Sequence, residues 1–173
     1  MNRGLTVIEL CLLLAMASAL LAVLVPEYNM AKERASQKCT IADMEMWNSA
    51  VSFYINDHSA APANPNGPVS FDTLITKQLA PYLEAVRVND WWGYPFRIWT
   101  GENIREYGIS TRNEKDYIIA SFGKEGHREP WRYDKNEPDS GCFDLSEPDD
   151  FRKDIVLWNG RFVRHPRKDH DPQ

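Results

Sequence analysis

Residue types from which active sites are usually built are sparse in this chain. Its 173 residues include three cysteines and four histidines. Cys11, Cys39 and Cys142 stand far apart, and the histidines lack the spacing of zinc ligands. Ser121 has no G-x-S-x-G setting, and none of the nine glycines belongs to a phosphate-binding G-x-x-x-x-G-K-[ST] loop. The sequence therefore favours a protein that is not an enzyme.

Positive charge is also in deficit, with 20 lysines and arginines against 25 aspartates and glutamates. Binding to nucleic acid requires a basic stripe that neutralises phosphates, so we expect no nucleic-acid partner. Only one apolar run is long enough to cross a membrane, which excludes a protein with several spans. Seven Phe, seven Tyr and six Trp exclude a fully disordered chain. A mean hydropathy of −0.51 then indicates a polar, soluble body outside that run.

The apolar run covers 5–25, where 18 of 21 residues are apolar. As a helix it would be about 31 Å long, close to the thickness of a bilayer core. A secretory signal peptide is the alternative, with 15-AMASALLA-22 as a small-residue cleavage site. However, the run is longer than a signal core, and Arg3 is the only charge ahead of it. The sequence predicts a single transmembrane helix.

Glu9 places an acid inside this apolar run, where a charge costs free energy even on lenient insertion scales. It could lie at the interface and be protonated or reach the headgroups. Alternatively, cleavage after Gly4 would create a positive α-amine on Leu5. In a staggered bundle, the amine of one copy could pair with Glu9 of the next and set the register between subunits.

The stretch 4-GLTVIEL-10 resembles the class III leader junction of type IV pilins and type II secretion pseudopilins. The resemblance implies that prepilin peptidase removes the leader after Gly4, that Leu5 is N-methylated and that Glu9 directs assembly. Leu5 departs from the Phe usual in the family. Pro26 also matches in position: it is expected to kink or break the helix, either ending the span or, by resemblance, letting the helix stretch in a filament.

Helical periodicity continues beyond Pro26, which predicts one long helix to about residue 57. The rest of the chain is predicted to form a head in which this helix packs on a small antiparallel sheet. The fold class is therefore α+β, and by resemblance it is the pilin fold. Asn159-Gly160 between apolar runs is a strong hairpin signal.

The predicted head elements are a loop at 58–68, a helix within 70–83 capped by Ser70, strands within 94–100, 116–122 and 154–165, and a loop at 127–153. The predicted segments are a leader at 1–4, a transmembrane helix at 5–25, an amphipathic half-helix at 26–57, a globular head at 58–165 and a flexible tail at 166–173.

Four stretches resemble, in order, those of the major pseudopilin of type II secretion: 50-AVSFYINDHSAAP-62, 90-DWWGYPFRIW-99, 117-YIIASFGKEG-126 and Asp154-Ile155. Trp91 departs from the usual Pro, and Lys124-Glu125 from a common Ala-Asp pair. In that family the region before the last strands binds Ca²⁺. The resemblance therefore implies calcium ligands among four acids, which are Glu125, Asp149, Asp150 and Asp154. A solvated acidic loop is the open alternative.

Two further expectations concern chemistry and assembly. Cys39 and Cys142 could form a disulfide in an oxidising compartment. By resemblance, the chain is a structural subunit of a type II secretion pseudopilus, a single-pass inner-membrane protein with its head in the periplasm. Its expected partners are other copies of itself, minor pseudopilins, prepilin peptidase, the inner-membrane assembly platform and the secretion ATPase. The alternatives are a type IV pilin of a surface fibre and a membrane-anchored periplasmic binding module.

Overall fold

The computed structural model describes residues 6–63, 66–70, 73–83, 87–110 and 113–167. It has a long amino-terminal helix, a short second helix and a six-stranded, mostly antiparallel sheet, which agrees with the predicted α+β layout. The chain divides into two compact units, Met1–Ala35 and Ser36–Gln173. The predicted leader at 1–4, with Gly4, and the cleavage neighbour Leu5 lie outside the described residues.

Helix α1 runs from Val7 to His58, close to the predicted 5–57. Pro26 lies inside it, and the helix continues on both sides without a break. The helix therefore does not break at Pro26, while a kink there and its roles in ending the span or letting the helix stretch stay predictions. Proline removes one hydrogen bond, while the Leu, Ala and Glu residues around it have high helix propensity and keep the neighbouring turns helical.

Within the second unit, α1 contributes Met44, Trp47 and Val51 to the core, as its spacing predicted. Trp47 also donates its indole N–H to the Arg87 carbonyl at 2.9 Å. Phe53 of the same helix is 59% exposed. The core partners of α1 come from α2 and the sheet and include Ile75, Leu79, Phe96, Ile98, Ile119 and Leu157.

The sheet has the strand order β1-β2-β3-β5-β6-β4. Neighbouring strands are antiparallel except β4 and β6, which are parallel. The strands are β1 (Asn66–Pro68), β2 (Arg97–Thr100), β3 (Tyr117–Ser121), β4 (Cys142–Phe143), β5 (Ile155–Trp158) and β6 (Arg161–Pro166). The prediction missed β1 and β4, which fall in the regions expected to be loops. They are three and two residues long, too short for any alternating pattern.

The hairpin between β5 and β6 confirms the turn predicted at Asn159-Gly160. Both residues have positive φ, 47° and 84°, as a type I′ turn requires. The side chain of Asn159 also accepts a hydrogen bond from the Tyr117 backbone N–H at 2.9 Å and donates one to Asp116 at 2.6 Å. The turn is thereby attached to the start of β3.

Two predicted boundaries need correction. Helix α2 spans only Leu74–Leu79, and its N-cap residue is Thr73 instead of Ser70. The Ser70 carbonyl instead accepts hydrogen bonds from the hydroxyls of Thr73 and Thr76, which places Ser70 in the turn before the helix. The predicted tail at 166–173 begins too early, because Pro166 is the last residue of β6. Residues 168–173 lie outside the described part of the chain.

Candidate functional site

The amino-terminal part of α1 is the first candidate site. In the part of the chain that the structure describes, α1 is the one helix long and apolar enough to cross a membrane, with a mean hydropathy of 2.6 in its most apolar window. None of that window is buried within the chain. Its leucines, valines and isoleucine are exposed on all sides of the helix, and Pro26 is exposed as well. Such a surface is compatible with a membrane span or with packing against other apolar helices.

Glu9 lies in the first turn of α1 and forms a capping box with Thr6. Its Oε2 accepts hydrogen bonds from the Thr6 backbone N–H at 2.8 Å and from the Thr6 hydroxyl at 2.9 Å. In return the Glu9 N–H donates to Thr6 Oγ1 at 3.3 Å. The T-x-x-E pattern in 6-TVIE-9 is a sequence signal for this role that went unused above. Glu9 therefore has a partner within its own chain.

The predicted calcium ligands Asp149 and Asp150 lie in a 3-10 helix, Pro148–Arg152. Asp150 accepts hydrogen bonds from the backbone N–H groups of Ser146 and Glu147 at 2.9 and 2.8 Å. Its other oxygen binds the Lys153 ammonium at 2.7 Å. These partners hold the pKa of Asp150 below its ordinary value, against the effect of desolvation. Asp150 thus caps the turn through two backbone N–H groups and pairs with Lys153 of the same turn.

Asp149 is exposed and lies 3.5 Å from the Arg152 guanidinium. Glu125 belongs to a different turn, the 3-10 helix Gly123–Glu125 after β3. The two turns contact each other, but among the described residues no group of three or more His, Cys, Asp or Glu side chains is placed to hold a metal ion. The structure therefore places Asp149 and Asp150 side by side without gathering the four acids into one ligand set.

Asp154 precedes β5 and is almost completely buried, with 1% of its surface exposed. Its Oδ2 accepts a hydrogen bond from the Glu129 N–H at 3.1 Å, and its own N–H donates to Glu129 Oε2 at 3.2 Å. The same Glu129 oxygen is ion-paired with Arg164 of β6. These contacts among Asp154, Glu129 and Arg164 attach the start of the 127–153 region, which was predicted to be a loop, to the sheet.

Burial raises the pKa of Asp154 to about 7, and the neighbouring Glu129 carboxylate adds to the shift. The hydrogen bond from the Glu129 N–H and the positive charges of Arg164 and Arg128 act in the opposite direction. Asp154 Oδ1 has no hydrogen-bond partner among the described residues. The guanidinium charges of Arg164 and Arg128 near Asp154 disfavour a divalent cation there. As placed, the four acids do not form one ligand set among the described residues, and calcium binding stays a prediction from the resemblance.

Ser121 and Asp90 form a second buried polar pair. The Ser121 hydroxyl donates to Asp90 Oδ2 at 2.7 Å, and Asp90 Oδ1 accepts from the N–H groups of Trp92 and Tyr94 at 3.0 and 2.9 Å. Burial raises the pKa of Asp90, although these hydrogen bonds act against the shift. The pair joins the 90–99 and 117–126 segments, so the Ser121 proton is used in a structural contact.

The three cysteines are free thiols, so the expected disulfide between Cys39 and Cys142 is not formed. Cys39 lies on α1. Cys142 lies in β4, where its sulfur faces His165 Nε2 at 3.7 Å. No sequence spacing predicts this Cys–His pair, because 23 residues separate the two side chains. Only the parallel pairing of β4 with β6 brings them together.

Comparisons of this chain with protein-family models, with curated proteins and with solved structures find no match.

Proposed function

We propose that this protein is a structural subunit of a type II secretion pseudopilus. In this proposal the chain is inserted in the inner membrane, trimmed after Gly4 by prepilin peptidase and assembled through its amino-terminal helices into a periplasmic filament. Minor pseudopilins, the assembly platform and the secretion ATPase act as its partners. The motif 4-GLTVIEL-10 and the order of the head segments support the assignment.

The observation that carries the proposal is the exposed apolar half of α1 with an acid at its amino end. A lone anchor in lipid gains only helix capping from a carboxylate in its first turn, and that group has to be desolvated or protonated there. A filament subunit does gain, since the trimmed amine of a neighbouring copy can neutralise the charge. The same apolar side chains that face lipid before assembly face other helices afterwards.

The capping box gives Glu9 a competing, purely local role, and one substitution separates the two roles. Glutamine serves at the third helical position of a capping box as well as glutamate does. Glu9→Gln therefore keeps the start of the helix but removes the negative charge. If pairing between copies matters, Glu9→Gln abolishes polymerisation; if capping is the whole role, polymerisation continues.

The test uses the full chain expressed in its native host. Mass analysis of the mature wild-type protein should show the loss of residues 1–4 and a methyl group on Leu5, and an intact leader would contradict the proposal. For Glu9→Gln we expect normal trimming but no filaments in sheared-cell fractions or electron micrographs. Glu27→Gln is the matched control, since Glu27 is an exposed acid of α1 beyond the apolar run, and it should assemble normally.

Two other functions predict different outcomes. A surface type IV pilin predicts long extracellular fibres that contain this chain. A membrane-anchored binding module predicts a monomer that chemical crosslinking leaves single and that is indifferent to Glu9→Gln. Normal assembly of Glu9→Gln after correct trimming would refute the electrostatic basis of the proposal.

A further inference from the structure

We propose that Cys142 is a covalent modification site, a thiol that the imidazole of His165 activates for exchange with small disulfides. The chemical class of substrate is a low-molecular-weight disulfide such as oxidised glutathione. Both residues lie at the sheet edge formed by β6 and β4. Their proposed role does not depend on the pseudopilus proposal.

Strand pairing places the two side chains together. Cys142 of β4 is in register with His165 of β6, in the one parallel pair among the described strands. The sulfur of Cys142 lies 3.7 Å from His165 Nε2, within hydrogen-bond distance for sulfur. The Arg167 N–H donates to the Phe143 carbonyl at 2.7 Å, which continues the pairing beyond the two residues and fixes their spacing.

The second hydrogen bond of the imidazole determines which nitrogen carries the proton. His165 Nδ1 lies 2.7 Å from the carbonyl oxygen of Pro166. A carbonyl oxygen only accepts hydrogen bonds, so Nδ1 is the donor and holds the proton of the neutral ring. The Nε2 atom therefore presents a lone pair to the Cys142 S–H. A nucleophile, a base and a group that orients the base are thus in place.

Access distinguishes Cys142 from a core thiol. Cys142 and His165 are both half-buried, so each residue keeps part of its surface open to solvent. Cys39 is also half-buried, but within the described residues no imidazole is hydrogen-bonded to it. The chain therefore contains its own matched reference thiol.

The reaction needs no additional oxidant or reductant. As the Cys142 S–H proton moves to His165 Nε2, the sulfur attacks one sulfur of the disulfide. The S–S bond of the substrate breaks, a new S–S bond to Cys142 forms, and the departing thiolate takes the proton from Nε2. One half of the disulfide is reduced to a thiol, and Cys142 is oxidised to the mixed disulfide.

The experiment compares two single-cysteine forms of the full chain in detergent. One form carries Cys11→Ser and Cys39→Ser, and the other carries Cys11→Ser and Cys142→Ser. The probes are 5,5′-dithiobis(2-nitrobenzoic acid), followed by absorbance, and oxidised glutathione, followed by intact mass. General-base assistance is typically worth 10²–10⁴-fold, so at pH 7 we expect Cys142 to react at least about tenfold faster than Cys39.

His165→Gln in the Cys142 form removes the base but keeps a polar side chain. We expect its rate to fall to that of the Cys39 form at pH 7, and the difference from the parent to shrink above about pH 9, where thiols ionise without help. Unchanged near-ultraviolet circular dichroism shows that the variant is folded. If the variant does not fold, the rate ratio between Cys142 and Cys39 in the two parent forms decides alone. Equal rates for Cys142 and Cys39, or a His165→Gln variant as fast as its parent, would overturn the proposal.

Discussion

Asp154 should make the stability of the head depend on pH, and Asp154→Asn should remove that dependence. Asparagine has the size of aspartate and keeps an oxygen that can accept from the Glu129 N–H, as Asp154 Oδ2 does at 3.1 Å. What the substitution removes is a carboxyl that is 1% exposed and next to the Glu129 carboxylate. The variant therefore isolates the cost of ionising this one group in the folded head.

The magnitude follows from the two pKa values of this carboxyl. In the folded protein the pKa of Asp154 is raised to about 7. In the unfolded chain an aspartate has a pKa of about 3.9. The folded state thus binds the proton more tightly, so the free energy of unfolding falls as pH rises from about 4 to about 7 and is then constant. Roughly three pKa units correspond to a loss on the order of 4 kcal/mol above pH 7.

The assay is urea unfolding of the full chain in detergent, followed by tryptophan fluorescence between pH 4 and pH 8. All six tryptophans lie within Ser36–Gln173, so the signal reports on the head. We expect Asp154→Asn to match the wild type near pH 4 and to exceed it in stability by up to about 4 kcal/mol at pH 8. Asp149→Asn, at an exposed ion pair, is the control and should change stability by less than about 1 kcal/mol. A wild-type pH profile retained in Asp154→Asn would refute the reasoning.

Three further predictions concern the same head. Because guanidinium charge lies beside Asp154 and the four acids form no common ligand set among the described residues, added Ca²⁺ or a chelator should leave the urea midpoint unchanged. A rise with Ca²⁺ that Asp154→Asn abolishes would instead support the calcium site that the resemblance implies. Arg164→Leu leaves the partly buried Glu129 carboxylate without its ion-pair partner and should destabilise the head by about 2 kcal/mol, which is less than the loss for a fully buried pair. Adding Glu129→Gln to this variant should recover part of the loss in a double-mutant cycle. Gly160→Ala places a side chain at φ 84° and should cost about 1 kcal/mol in the same unfolding assay, whereas alanine at Gly67, which has open space and an ordinary φ, should have little effect.

Features with a local physical cause were predictable. The length of α1 follows from an apolar run joined to a 3.6-residue periodicity, and neither depends on distant parts of the chain. The Asn159-Gly160 turn follows from the low cost of positive φ in these two residue types. Pro26 shows the limit of local rules, because a residue that disfavours a helix on its own lies inside one when its neighbours favour it.

The buried polar contacts of the head behaved differently, since they join segments that lie far apart in sequence. Glu129 meets Asp154 and Arg164, and Ser121 meets Asp90, over separations of 25, 35 and 31 residues. No spacing rule connects residues so far apart. Three of the four acids chosen from the resemblance, Asp149, Asp150 and Asp154, are close in sequence. In the structure Asp149 and Asp150 are paired with nearby basic residues instead of with one another.

The sequence alone determined that this protein has one long apolar helix with an acid near its start and a polar α+β head, because hydropathy, periodicity and turn chemistry act over a few residues. Only the tertiary structure decided that Arg164 supplies a positive charge beside Asp154 and that His165 faces Cys142. Strand register sets which side chains from distant segments become neighbours, and burial at those contacts sets their protonation.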